Sequence, residues 1–310
     1  MGFGKKWNAF WSPSVALAFD RESLWSVNDP MAEPRRSAAC VAVREKDRKV
    51  VLAGDEAARV QAGGGTGVNV IQYSRRGTLI DYDAAEAAIR HELRIQMGSR
   101  LRLTPRVLVA TSQGDTEKRV VKDALIHAGA RDVITIPRLM AAAIGTGLDV
   151  QQSKAETLIY VDRDWCGVAV IGRAEILASW ESSGALEQVL VERAWRGRKA
   201  GDDAAVDFDA MYRRLMDRGV EMDPACEAYV RGVWEQYRIL LGKLSAADAK
   251  EARAGQIHLV GPCAQIPGLK ALFATIGGRA VVVPPRAEAV VILGCRSVLS
   301  EIGWILKSVK

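Results

Sequence analysis

The sequence predicts an α/β fold with a largely parallel sheet, and three observations support that expectation. Residues 106–148 read as one complete strand, helix, strand, helix unit, the alternation from which layered α/β domains are built. Short β-branched runs recur on either side of it, bounded by glycine, proline or charged turns. The chain has 310 residues, 49% hydrophobic and 26% charged, which suits a folded protein large enough for two domains and excludes a disordered chain.

Composition narrows the function classes further. A formal charge of +6 makes anionic lipid or nucleic acid electrostatically acceptable partners without selecting either. The 5 cysteines (Cys40, Cys166, Cys226, Cys263, Cys295) are scattered, with no CxxC pair and no Cys/His cluster. They read as reduced, buried small apolar residues, and no metal site is expected. No run approaches the ~18 apolar residues that span a bilayer, and the basic start leads into no signal-peptide core.

At the amino terminus, Phe3, Trp7, Phe10 and Trp11 form one aromatic stripe on a helix, while Lys5 and Lys6 lie off it. Pro13 limits this helix to a few turns, too short to be stable in water yet suited to a lipid interface with anionic headgroups. An arm covering a patch on the same protein, or simple disorder, is the alternative.

Residues 14–19 read as a strand ending at Asp20, and 24–27 resume a strand after a tight break. Strands at 39–43 and 50–53 flank the charged turn EKDRK, and a helix follows from about residue 55. AGGGTG at 62–67 lacks the preceding strand, following helix and GK[ST] of a phosphate-binding P-loop, and reads as a surface turn. The helix after residue 83 should pack Ala84, Ala87, Ala88 and Leu93 on a sheet. Strand 107–110 leads to a helix capped by Asp115 or Thr116, with Val120, Val121, Ala124 and Leu125 as its stripe and Gly129 as its stop. Strand 133–136 and a helix from Met140 through small residues complete the unit.

In the second half, a strand at 157–162 precedes a hairpin of 167–171 with 175–179. Helices are expected at 183–195, 208–217 and 224–244, with Trp195, Tyr229, Trp234 and Tyr237 read mainly as core rather than a base-stacking surface. A strand at 256–260, a helix at 269–276, a strand at 280–283 and a helix from about 287 to 307 close the chain. His258 reads as a strand histidine, and spacing suggests no catalytic partner for it, His91 or His127.

Two sequence words now matter together. AGARDVITI and LMAAAIGTGLDV, in that order, resemble the bacterial actin homologue family MreB. The resemblance implies an actin-like (ribonuclease H-like) fold: two domains around a central cleft, with a reduced second-domain insertion. Residues 1–12 would be an amphipathic membrane-binding segment and 13–147 domain I, with a small insertion subdomain at 28–73. Domain II would cover 148–296, and a C-terminal helix at 297–310 would return to domain I.

The same resemblance marks a remnant nucleotide pocket at Asp20, Asp162, Gly167 and Gly261. Where the family reads DLGTANT, this chain reads DRESLWS. Where it reads D-x-G-G-G-T, this chain has Asp162, Arg163, Asp164, Trp165, Cys166 and Gly167. Pro137, Arg138 and Leu139 replace the Glu-Glu-Pro that helps position the attacking water, and Pro262 and Cys263 replace glycines of the adenosine turn. The family's glutamate- and lysine-bearing helix has no visible counterpart. Bulky side chains obstruct close backbone approach to phosphates, and no base remains.

No catalytic residue is therefore expected, no cofactor is expected, and residual ATP and magnesium are left open. The expected function is a membrane-associated, filament-forming scaffold with weak or lost ATP binding and hydrolysis. Its partners would be itself, anionic lipid at the inner face of the cell membrane and unidentified membrane or scaffold proteins, with no nucleic acid, and its location cytoplasmic. The alternative is a non-polymerising actin-fold adaptor, a pseudo-ATPase recruiting a membrane-protein complex.

Overall fold

The computed structural model describes residues 13–63, 67–75, 78–98, 104–183, 185–197, 207–220 and 224–299. The predicted aromatic segment at 1–12 and the end of the last predicted helix lie outside these residues. The described chain forms two compact units, one running to Ala141 and resuming at Val291, the other covering Ala142–Val290.

Unit one opens with β1 (Ser14–Phe19), β2 (Ser23–Val27) and β3 (Arg35–Ala38). The sequence reading missed β3, whose arginines and alanine carry little β signal. It forms because it pairs antiparallel with β2, Leu24 opposite Ser37. Next come β4 (Cys40–Arg44), β5 (Val50–Ala53), α1 (Asp55–Ala62) and β6 (Val68–Gln72), a small three-stranded sheet in the order β5-β4-β6. The short pair β7 (Ser74–Arg75) and β8 (Thr78–Leu79) leads into α2 (Tyr82–Met97), capped by Asp81 accepting from the Ala84 N–H at 3.0 Å. Ala85 and Ile89 join Ala84, Ala88 and Leu93 on its buried face, whereas Ala87 is only half-buried.

The opening sequence unit becomes β9 (Arg106–Thr111), α3 (Asp115–His127), β10 (Asp132–Pro137) and α4 (Arg138–Gly145). The main sheet runs β10-β9-β1-β2-β3, with β10, β9 and β1 parallel. Two local expectations change. The cap of α3 is Gly114, with no side-chain hydrogen bond, so Asp115 and Thr116 lie inside the helix. Helix α4 begins at Arg138, before the small-residue run, because Leu139 is already core.

A polar network pins α2 to the sheet. Glu92, buried on α2, accepts from Ser26 Oγ at 2.5 Å and from Ser37 Oγ at 3.3 Å and pairs with Arg35 at 3.2 Å. A buried carboxylate is tolerated because its oxygens are so supplied with donors.

Unit two is built on β11 (Glu156–Val161), β12 (Trp165–Gly172), β13 (Glu175–Ser183), β14 (Ile257–Val260) and β15 (Val281–Val282). They form one sheet, β13-β12-β11-β14-β15. The β12–β13 hairpin is longer than the sequence suggests, since polar Glu181 to Ser183 still pair with Gly167 to Trp165. Between β13 and β14 lie α5 (Ala185–Gly197), α6 (Phe208–Arg218), α7 (Pro224–Gly242) and α8 (Ala246–Ala254), with no strand among the described residues. Helix α8 was not expected: its alanine-rich face has little apolar contrast, and it is held by the Ser245 cap and by Arg173.

The core of this unit gathers Ile159, Val161, Val168, Leu190, Val233, Trp234, Tyr237, Leu259 and Phe273. Trp234 and Tyr237 are core residues as predicted, while the side chain of Trp195 lies outside the described set. Helix α9 (Leu269–Gly277) follows β14, and α10 (Val290–Val298) carries the chain back to unit one.

Candidate functional site

The two acidic turns singled out in the sequence have the same construction. In unit one, Phe19 pairs with Leu24, and the Asp20 N–H donates to the Ser23 carbonyl at 2.8 Å. In unit two, Val161 pairs with Cys166, and the Asp162 N–H donates to the Trp165 carbonyl at 2.8 Å. Each hairpin thus turns on Asp, Arg, an acid and one further residue: Asp20-Arg21-Glu22-Ser23 and Asp162-Arg163-Asp164-Trp165. No glycine is present in either.

Both turns are locked by side chains. Asp20, 6% exposed, accepts from the Trp25 indole N–H at 2.9 Å. Arg36 donates to Ser23 Oγ at 2.7 Å while its guanidinium lies over the Trp25 ring at 5.6 Å. Asp162, 4% exposed, accepts from the Arg163 N–H at 2.6 Å. The Arg163 carbonyl accepts from Glu187 N–H of α5 at 2.7 Å.

The Arg163 side chain turns toward α6. Its Nη2 stands 2.5 Å from Asp209, and its guanidinium lies 4.8 Å from the centroid of Tyr212. The Tyr212 hydroxyl in turn lies 3.3 Å from Cys263 Sγ in the short 3-10 turn Pro262–Gln265. Helix α6 therefore connects the Asp162 turn to the turn after β14. Its start is fixed by Asp207, which accepts from the Ala210 N–H at 2.8 Å. The sequence reading missed this function of α6. The available signal was an Asp and a Tyr three residues apart, on one face of a helix announced by an Asp cap.

The remaining predicted residues are placed as follows. Gly261 adopts φ +99°, and a Cβ there would lie 2.5 Å from the Val161 carbonyl oxygen. It is glycine because the 3-10 turn passes directly against the end of β11, beside Asp162. Gly167 lies within β12, opposite Tyr160 and Glu181, and is not part of the Asp162 turn. Trp165, 2% exposed, packs edge-on against Tyr160 at 5.0 Å. Cys166 is buried, and burial pushes its thiol up to about 12, so it is inert at neutral pH.

Arg138 is a buried residue of the first unit. It is 1% exposed, and Nη2 donates to the Phe19 carbonyl at 2.7 Å, at the end of β1 beside Asp20. A guanidinium held in the core by a carbonyl faces neither solvent nor a neighbouring subunit. His127 has a partner that spacing did not suggest, since Nδ1 lies 2.7 Å from the Tyr82 hydroxyl. Among the described residues no group of His, Cys, Asp and Glu could hold a metal, and no helix is long and apolar enough to cross a membrane.

Comparison with known proteins agrees with this architecture. The family model described as MreB/Mbl protein matches residues 35–184. The cell shape-determining protein MreB of Escherichia coli K12 is 30% identical over 138 residues. The chain has an actin-like fold and is similar to the MreB family. That alignment covers 42% of this chain and 40% of the E. coli protein. Mbl of Bacillus subtilis is 25% identical over 141 residues, or 45% of this chain and 42% of that protein. Among solved structures, MreB5 of Spiroplasma citri bound to AMPPNP superposes with a TM-score of 0.79 at 14% identity, covering 96% of this chain and 99% of that one. The MamK double helical filament gives 0.70 at 11% identity, covering 94% and 99%. The actin-like fold is thus shared along nearly the whole chain, whereas sequence kinship to MreB is concentrated in its first half.

The resemblance read from the sequence assigns phosphate loops to the two acidic turns and an adenosine turn to the Gly261 turn. The residues present do not fit a nucleoside triphosphate. Several backbone donors of these turns are already engaged: Asp20 N–H, Asp162 N–H and Arg163 N–H within their own turns, Gly261 N–H on Ala287 at 2.9 Å and Ala264 N–H on Gly261 at 3.1 Å. A satisfied donor must give up one bond to make another, which removes most of the gain.

Proposed function

We propose that the chain is an MreB-like cytoskeletal scaffold that assembles head to tail into filaments, associates with anionic membrane and binds or hydrolyses ATP weakly or not at all. One observation above all supports the loss of nucleotide handling: Arg163 of the Asp162 turn is paired with Asp209 and stacked on Tyr212, which itself reaches Cys263. Protein side chains here join elements that a nucleotide would join. Loss of the backbone cradle and of the water-positioning group each removes several kcal/mol of binding or transition-state stabilisation.

Filament formation rests on kinship with an actin family and on likeness to a solved filament. Heterologous head-to-tail contacts do not close, and they do not require hydrolysis. Membrane association rests on the aromatic stripe Phe3, Trp7, Phe10 and Trp11 beside Lys5 and Lys6. On this reading the scaffold is cytoplasmic and peripheral to the inner face of the membrane.

Isothermal titration of the full chain with ATP and magnesium should give no saturable heat at micromolar concentrations. Micromolar or tighter binding, with turnover abolished by Asp20→Ala, overturns the pseudo-ATPase reading. Pelleting and electron microscopy with and without anionic liposomes should show membrane-bound filaments. Soluble monomers under both conditions favour the non-polymerising adaptor instead.

A further inference from the structure

Two turns of unit one lie at opposite ends of two consecutive strands and carry opposite charge. The first, residues 28–34, joins the end of β2 to the start of β3. From it β3 runs back until Ala38 pairs with Ser23 and the Ala39 N–H donates to the Glu22 carbonyl at 3.0 Å, within the Asp20 turn. There β4 takes over, and β5 returns antiparallel to it, so that Ala53 lies opposite Val41 and Asp55 accepts from the Ala38 N–H at 2.9 Å. The second turn, residues 45–49 between β4 and β5, is therefore at the end of β4 remote from β3. Strands β3 and β4, of 4 and 5 residues and joined at Ala39, span up to about 30 Å at ~3.3 Å per residue.

The β4–β5 tip is basic and fixed in shape. Residues 44–49 hold four basic and two acidic side chains. Arg44 pairs with Asp47 at 3.1 Å, whereas Lys46, Arg48 and Lys49 are exposed, and their side chains form no ion pair among the described residues. The Arg48 N–H donates to the Arg44 carbonyl at 2.9 Å, with Arg48 at φ 56°, and the Arg44 N–H donates to the Lys49 carbonyl at 2.9 Å. A tip already fixed by its backbone loses little freedom on docking.

The turn at 28–34 is acidic, with Asp29 and Glu33 and no basic residue. The Met31 N–H donates to Asp29 Oδ1 at 2.8 Å and the Ala32 N–H to the Asp29 carbonyl at 3.1 Å. Arg296 of α10 donates to the Ala32 carbonyl at 3.1 Å, and the Asn28 side chain donates to the Gln96 carbonyl at the end of α2. This construction holds Met31 outward. It is 90% exposed, against 56% for Ile80, the next of the large hydrophobic side chains described. A thioether of this kind packs readily on the aliphatic stems of lysine and arginine.

We propose that these two turns dock on each other between copies of the chain, the basic tip of one copy resting on Met31, Asp29 and Glu33 of the next. The inference rests on the filament reading above and names one of its contacts. Charge selects a second copy in one orientation: tip against tip and Met31 turn against Met31 turn both set like charges together. Two different surfaces at opposite ends of one unit give a heterologous contact, which repeats without closing. Neither surface includes a residue of the Asp20 or Asp162 turn, so the contact is independent of nucleotide.

Assembly of the full chain, without lipid or nucleotide, is followed by light scattering and pelleting. The parent should need several-fold more protein to assemble at about 500 mM salt than at about 50 mM, because the contact is exposed and screened. Lys46→Glu/Lys49→Glu makes the tip acidic. Met31→Lys/Glu33→Lys makes the other turn basic and keeps the Asp29 acceptor. All four side chains are exposed, so both variants should unfold within a few degrees of the parent. Each variant alone should need at least about tenfold more protein to assemble, since its own two surfaces now repel. Mixed in equal amounts they should assemble near the parent's concentration, each offering the surface the other lacks. Salt-independent assembly of the parent, or a mixture no better than its components, overturns the proposal. Parent filaments that neither variant weakens end this contact alone, while a parent that stays monomeric ends the filament reading with it. Loss of anionic-liposome binding by the tip variant with assembly unchanged assigns the tip to lipid and also overturns the proposal.

Discussion

The Arg138 guanidinium donates to the carbonyl of Phe19 at 2.7 Å across 119 positions of sequence. The residue standing where the MreB pattern has its water-positioning segment thus closes the end of β1, one residue before Asp20. What reads in sequence as a lost catalytic group is, in the fold, a buried structural tie between α4 and β1.

Arg138→Met should therefore lower stability by about 2–4 kcal/mol, because it leaves the Phe19 carbonyl without this donor and replaces a large buried side chain imperfectly. Urea unfolding monitored by circular dichroism measures it. A loss under about 0.5 kcal/mol, the range of an ordinary surface substitution, would mean that the tie contributes little.

Gly261→Ala should cost at least about 2 kcal/mol, combining left-handed strain with a carbonyl contact that backbone cannot yield. Its Cβ would stand 2.5 Å from the Val161 oxygen at φ +99°. By contrast Gly278→Ala, also left-handed at φ +63° but with nothing within 4 Å, should cost about 1 kcal/mol. Equal losses in the two variants would refute the close-approach account.

The β12–β13 turn holds two non-glycine residues in the left-handed region, Arg173 at φ 55° and Ala174 at φ 59°. Arg173 grips Asp248 of α8 through two hydrogen bonds of 2.8 and 3.0 Å. Ala174→Gly should stabilise the protein by about 1 kcal/mol through relief of strain alone. Arg173→Gly relieves similar strain but loses the grip on α8, so its gain should be smaller. The hydrogen bonds from Arg173 hold the Asp248 carboxyl below its ordinary range. The stabilisation so linked is present above the unfolded carboxylate pKa and is lost as pH falls through the lowered folded value. The difference between the two variants should accordingly shrink in acid, as thermal unfolding at stepped pH would reveal.

His258 lies in β14, between β11 and β15, with Nε2 4.0 Å from a Glu156 oxygen. Burial lowers its pKa from the ordinary 6.5, Glu156 opposes the shift and Lys154 adds to it. The unfolded chain therefore binds the proton first on acidification. Stability should be full above pH 6.5 and decline as pH falls below it toward the folded value. His258→Gln should flatten that slope; an identical slope in variant and parent would assign the titration elsewhere.

Much of the fold was legible because local chemistry and tertiary demand agree. In residues 106–148, the Val107–Ala110 run and the Val121, Ala124, Leu125 stripe predict strand and helix, and the structure buries those side chains. Legibility failed where an element exists only through a partner. Strand β3 forms by pairing with β2, and α8 is held by Arg173 and by its cap. Gly167 carried two readings, a remnant pocket glycine and the start of a hairpin strand; pairing with Tyr160 places it in the sheet, outside the Asp162 turn.

The candidate site divides in the same way. The amino-acid sequence by itself determined the actin-like class, the kinship to MreB and the absence of glycines from both acidic turns, since these depend on residue identity and local pattern. Only the tertiary structure decided what replaces the lost chemistry: Arg138 on Phe19, Arg163 on Asp209 and Tyr212, and Tyr212 on Cys263. Those contacts join residues 46 or more positions apart, and a buried donor's partner is fixed by which chain segments pack together rather than by sequence neighbours.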